Sequence, residues 1–254
     1  MSASDWDSAA RSRAFPEGPP RREVARSMSR MSARPVSRPT GRAPDRQNFT
    51  PLYCAGLCDA VNIAIGHLLP EGLHLDAVIS GINTGLNASL GFIIASGTIA
   101  GAWEGALHGL PGIALSQDMS RETYDRLKAS DDRPDADLLA TLRASAAHAA
   151  RLAPELAAST PRRSFIVHNV NFPHPCRTAT PVRRTVPAHV VVPGLLTPAQ
   201  DDGTHRLVFR LGDDLSPAEP LTDRATLAAG EISHTVLDYR RLGMPWRGDT
   251  RFET

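Results

Sequence analysis

Lysine is almost missing from this chain of 254 residues: Lys128 stands alone against 27 arginines. Cysteine is scarce too. Cys54, Cys58 and Cys176 are too few for the disulfide scaffold of a small secreted domain. No apolar run reaches the ~20 residues of a membrane span, which excludes an integral protein with spanning helices. No secretory signal is visible, since the first long apolar stretch starts near Ala60; the expected compartment is the cytoplasm, with no membrane partner. A formal net charge of +1 gives no support to general polyanion binding, nucleic acid included. The length suits one domain, or one domain with a tail, and is enough to bury a real core.

Charge is unevenly placed. Residues 1–50 hold ten Arg against five acids, whereas the other 204 residues hold 18 basic and 22 acidic groups. The first fifty are rich in Ser and Pro and poor in aliphatics. They cannot bury enough apolar surface to offset the entropy of ordering, so 1–50 is expected to be a disordered tail. Arg22, Arg26, Arg30, Arg34, Arg38, Arg42 and Arg46 recur every fourth residue, but Pro35, Pro39 and Pro44 break any continuous helix. Four readings of the tail stay open: an arm for an acidic surface or nucleic acid, an organelle transit peptide, a solvated tail without a role, and GC-rich coding read out of frame.

From residue 51 the pattern changes. Asp59 to Leu69 has helical apolar spacing, with Pro70 as its stop. Leu75–Ser80 reads as a buried parallel strand breaking into a loop at Gly81-Ile82-Asn83. Ser96-Gly97-Thr98 opens a helix over about Ile99–His108, with Trp103 in the core. Gly112–Ser116 is a short strand, Asp135–Ala158 a long helix, and Phe165–Asn171 a strand closed by Pro173. This alternation predicts an α/β fold with a mostly parallel sheet. Later, Thr185–Val192 and Arg206–Leu211 flank a polar turn at Gln200–Thr204, an extended hairpin of the sort that makes subunit contacts. Glu231–Leu237 is a last strand. The division is therefore a tail at 1–50, a domain at 51–240 and a C-terminal tail at 241–254.

The chemistry concentrates in Ser80–Thr98, SGINTGLNASLGFIIASGT. Gly81 and Gly85 let backbone approach a ligand. Asn83 and Asn87 offer carbonyl oxygens to a hard cation or donors to an oxyanion. Ser96, Gly97 and Thr98 place hydroxyls and backbone N–H groups at a helix N-terminus, where the dipole favours an anion. Ligands of open α/β sheets bind at the carboxyl ends of strands, where Asn83 falls. The pair of loops reads as a phosphate cradle; each loop alone also reads as an ordinary turn or helix cap.

The run Ser80-Gly-Ile-Asn-Thr-Gly-Leu-Asn87, then Ser96-Gly-Thr-Ile-Ala-Gly-Ala-Trp-Glu-Gly and Gly112-Ile-Ala-Leu-Ser116, resembles the core of the SurE survival-protein family. Asp59–Val61 and Asn169-Val-Asn-Phe-Pro173 resemble further segments of it, so that the likeness covers roughly residues 57–240. The resemblance implies a Rossmann-like three-layer sandwich with a C-terminal β-hairpin arm, and a homo-oligomer held through that arm. It implies a phosphohydrolase acting on nucleoside monophosphates or other small phosphomonoesters with a divalent metal, Mg or Mn. Asn83 would be a metal ligand, and Asn87, Ser96, Gly97 and Thr98 would hold the substrate phosphate.

The chain departs from that pattern at its start. The family opens with a strand ending in Asn-Asp-Asp-Gly, whose aspartates bind the metal, and nothing in residues 1–50 resembles it. The first strand unit is thus expected to be missing or replaced, leaving an exposed sheet edge; no catalytic acid pair is found. Asp201-Asp202-Gly203 repeats the letters but sits in the expected hairpin turn, where Asp-Gly is favoured by backbone geometry. Asp213-Asp214 reads as a second turn. Cys54 and Cys58 lack two further ligands for a metal site. His67, His108 and His148 read as surface or satisfied side chains, and Glu104 as support for a helix face. Besides a nucleotidase, two functions fit: a non-catalytic relative that binds phosphate or nucleotide, and an oligomerising interaction module.

Overall fold

The computed structural model describes residues 56–70, 72–194, 196–200, 203–205 and 212–242. The chain divides into two units, Met1–Leu52 and Tyr53–Thr254. The first, with the expected tail, lies outside the described residues, as do Cys54, Asp201, Asp202 and the second hairpin run at 206–211.

Within the second unit, helix α1 (Leu57–Ile63) continues into a wider π turn at Ala64–Leu68. Strand β1 (Val78–Thr84), short helix α2 (Leu90–Ile94) and helix α3 (Gly97–Leu107) follow. Strand β2 (Gly112–Gln117), helices α4 (Arg121–Ala129) and α5 (Ala136–Ser159), and strand β3 (Ile166–Phe172) come next. Strand β4 (Val182–Thr185), helix α6 (Asp223–Ala228) and strand β5 (Ile232–Asp238) complete the described elements. The sheet order is β1-β2-β3-β5-β4. β1, β2 and β3 run parallel, β5 is antiparallel to β3, and β4 is parallel to β5.

Strand alternation makes the three layers. Ala114 and Val167 point to one face and pack against Ile99, Ala102 and Ala106 of α3. Ile113, Leu115, Val170 and Phe172 point to the other, against Ala149, Leu152 and Leu156 of α5. Burial on both faces explains why β2 is apolar almost throughout. Asp135 starts α5 by accepting the Leu138 amide at 2.8 Å. The three-layer α/β architecture agrees with the sequence expectation. Helix α3 lies close on β1 because Gly105 has no side chain: a Cβ there would fall 2.4 Å from Val78 Cβ.

Two local expectations change, and two helices add to them. β1 does not break at Gly81; it runs on to Thr84, with a register irregularity between Ser80 and Asn83. Asn83 therefore sits on a strand end and not in the loop, because its backbone finds a partner in Ser116 of β2. Helices α4 and α6 lie in segments whose polar faces gave no apolar period, and Ser120 and Thr222 cap them. In the expected hairpin, regular pairing ends at Thr185, and beyond it Val190 and Asp214 form an isolated antiparallel bridge. Its tip is a turn in which the Gln200 amide donates to Thr204 O at 2.8 Å and Gly203 has φ +75°.

On its outer side β1 has no partner strand among the described residues, and Ile79 is 53% exposed there. No helix among the described residues is long and apolar enough to cross a membrane.

Candidate anion-binding site

A cleft of about 390 Å³ opens beside the carboxyl end of β1. Leu57, Ala60, Val61 and Ala64 from α1 and its π turn form one wall with Ile79. Ser80, Gly81, Asn83 and Thr98 form the polar end. Asn83 reaches the cleft because it ends β1, and Thr98 because it opens α3, which runs back against the strands. Gly81 has φ +116°, and a Cβ there would lie 2.2 Å from Leu115 O, so only glycine lets β1 approach β2 at this level.

The residues expected at the site divide into three groups. Asn83 and Thr98 share the cleft. Asn83 donates from Nδ2 to Gly85 O at 2.9 Å, which leaves Oδ1 as its acceptor. Ser96 is the N-cap of α3 and accepts the Ile99 amide at 3.1 Å; Gly97 is exposed in the first turn, where the amides of Gly97 and Thr98 have no acceptor within the helix. Asn87 is buried behind the loop. Its Nδ2 donates to Ser116 Oγ at 2.7 Å, its amide donates to Asn171 Oδ1 at 2.8 Å, and its carbonyl accepts from Asn169 Nδ2 at 2.8 Å.

Ser116, Asn169, Asn171 and Asp223 are structural members of this region to which sequence reasoning gave no site role. Asn169 and Asn171 share a face with Val167, so the sheet face turns from apolar to polar where α3 begins. A signal was present: two Asn at alternate positions inside an otherwise apolar strand. Asp223 is fully buried and accepts the amides of Ser89 at 2.8 Å, Ala188 at 3.0 Å and Arg224 at 2.8 Å. Burial raises its pKa, while those amides and the Arg224 charge oppose the rise.

Most of the remaining candidates have structural partners. Glu104 accepts from Asn62 Nδ2 at 2.7 Å and lies 3.5 Å from His108 Nε2. His148 Nε2 meets Arg177 O at 2.9 Å. His67 lies exposed in the π turn after α1. Trp103 meets the Tyr239 ring in a tilted contact and packs on the α3 core. Asp214 accepts the Ser216 amide at 2.9 Å in a local turn.

The divalent metal implied by the resemblance finds no matching donor set here. Among the described residues no three His, Cys, Asp or Glu side chains converge on one point. The cleft's polar lining is Ser80, Asn83 and Thr98, all neutral, whereas a hard cation is held mainly by carboxylates. What this lining can do is accept an oxyanion through hydroxyls, amides and the α3 dipole.

Comparison with known proteins gives a consistent family. The profile of Survival protein SurE matches residues 19–191. A 5'-nucleotidase SurE of Nitratiruptor sp. is 44% identical over 70 residues, covering 28% of this chain and 27% of its own. That of Cereibacter sphaeroides is 33% identical over 186 residues, 70% of this chain and 66% of its own. That of Rhodopseudomonas palustris is 34% identical over 177 residues, 65% and 61% respectively. The chain thus spans from about a quarter to about two thirds of the length of these relatives. The crystal structure of the SurE protein from Aquifex aeolicus aligns over 73% of this chain and 70% of its own, with TM-score 0.45 and 22% identity.

Proposed function

Since the chain belongs to the Survival protein SurE family, we propose that it is a phosphohydrolase of the nucleotidase type whose cleft receives the phosphate of a nucleoside monophosphate. One observation carries the reading: Asn83 at the end of β1 and Thr98 in the first turn of α3 line one cleft. A dianionic phosphate there meets the Thr98 hydroxyl, the first-turn amides and the positive end of an eleven-residue helix. The aliphatic wall of α1 suits the nucleoside end of such a substrate, since ligand sites pair a large apolar wall with a few placed polar groups. Asn87, through its hold on β2 and β3, supports the cradle from behind. In this reading the described residues bind and orient the substrate.

A second reading, a non-catalytic phosphate or nucleotide binder, is favoured by the neutral lining of the cleft. The two separate on one pair of measurements with the full chain. Release of inorganic phosphate from nucleoside monophosphates with added Mg²⁺ or Mn²⁺, abolished by a chelator, supports the hydrolase. Calorimetric binding indifferent to metal and without turnover supports the binder. Thr98→Val and Asn83→Ala should each weaken binding by about tenfold, the loss of one hydrogen bond to a charged group. Absence of both binding and turnover in the folded protein refutes both. Self-association through the C-terminal excursion belongs to the same proposal, and sedimentation of the full chain tests it.

A further inference from the structure

The loop between β1 and α2 is held at alternate residues by three different parts of the molecule. The Gly85 amide donates to Gln117 O at 2.9 Å, at the end of β2. The Asn87 amide donates to Asn171 Oδ1 at 2.8 Å, on β3. The Ser89 amide donates to Asp223 Oδ2 at 2.8 Å, at the start of α6. Ser89 is fully buried with φ +79°, a conformation that a non-glycine residue keeps only when its surroundings impose it. The first hold is ordinary sheet edge and the second a neutral side chain. The third comes from a carboxylate 134 residues later in the chain.

Asp223 also grips the base of the C-terminal excursion. Its Oδ1 accepts the Ala188 amide, and the Ala188 carbonyl in turn accepts the Leu90 amide at 3.0 Å. The Asp223 amide donates to Val186 O at 2.9 Å, and the Val186 amide to Leu221 O at 3.0 Å. Both ends of the 189–221 excursion and the end of the site loop are therefore tied at one buried carboxylate. The loop's other end reaches the cleft, because Gly85 O holds the Asn83 side chain.

We propose that Asp223 is a positioning residue that fixes the Gly85–Ser89 loop, and with it the Asn83 carboxamide, to the base of the C-terminal excursion. The functional part of the inference rests on the cleft being the anion site; the structural part does not. Asn is the informative replacement, since a carboxamide keeps the shape but has one acceptor oxygen where three amides converge. Its oxygen can keep the Ser89 amide or the Ala188 and Arg224 amides, not all three, and whatever faces the N–H₂ group loses its acceptor.

Amide hydrogen exchange and inorganic phosphate titration on the full chain test this. In Asp223→Asn, exchange at Ser89 or at Ala188 should rise by about tenfold or more, with β2 and β3 unchanged, and phosphate affinity should fall several-fold. In Thr98→Val, phosphate affinity should fall with exchange at Ser89 unchanged. Unaltered exchange at Ser89 and Ala188 in Asp223→Asn, or a uniform rise across the sheet, overturns the proposal. If the unsubstituted chain binds no phosphate, the cleft reading fails alone and exchange still decides the role of Asp223. Should the variant not fold, the unsubstituted protein decides: Ser89 and Ala188 must open with one common protection factor, and clearly different values overturn the link.

Discussion

Two buried histidines set how this protein responds to acid. His168 on β3 and His234 on β5 are each 6% exposed, with His168 Nδ1 and His234 Nε2 2.9 Å apart. The Thr160 hydroxyl donates to Leu156 O at 2.7 Å and lies 2.7 Å from His168 Nε2. Arg184 Nη1 donates towards His234 Nε2 at 3.3 Å. Only one proton fits between the two facing ring nitrogens, so the ring that accepts it is neutral. Burial, with the Arg184 guanidinium second, brings His168 down to about 4; burial, Arg184 and His168 bring His234 down to about 3. Both ordinary values are 6.5. Below pH 6.5 the unfolded chain therefore binds protons that the folded chain refuses, so stability is full above that pH and is lost as pH falls towards 4. With both histidines charged in the unfolded chain, the loss between pH 5.5 and 4.5 is roughly 3 kcal/mol. Against a total of ~5–15 kcal/mol for a domain, that is a large share. The perturbation is His168→Leu with His234→Val, which leaves the Thr160 hydroxyl still paired with Leu156 O. Urea denaturation at half-unit pH steps measures the slope. The double variant should flatten the wild-type curve over pH 5.5–4.5 by that amount; the other titrating groups, Asp223 among them, cancel in the difference. Parallel curves for the two proteins would refute the assignment of both rings as neutral.

Two further outcomes concern packing. Gly105→Ala should cost about 1–3 kcal/mol or more, because its Cβ meets Val78 Cβ at 2.4 Å and α3 must lift from β1, whereas Gly66→Ala, with nothing within 4 Å, should be near neutral; thermal melts of both compare them. Phe172→Ala empties a fully buried site between the sheet and α5 and should cost about 3–5 kcal/mol by chemical denaturation.

Much of the fold was legible in the sequence because its signals are local. The continuous apolar run of Gly112–Ser116 announces a strand buried on both faces, and Asp135 before an Ala/Leu-rich period announces the start of α5. The Ser80–Thr98 stretch likewise places Asn83 just past a strand and Thr98 at a helix start, and the fold brings those two to one cleft. What the sequence could not decide is which polar group faces a ligand and which faces a partner. Asn83 and Asn87 read alike, four residues apart, yet one lines the cleft and the other spends its donor on Ser116. Asp223 carries no local mark of importance: an Asp after Thr at a helix start is an ordinary cap. Its hold on Ser89 and Ala188, like the pairing of His168 with His234, exists only because strands and loops far apart in the chain close on one another and leave no water to satisfy those groups.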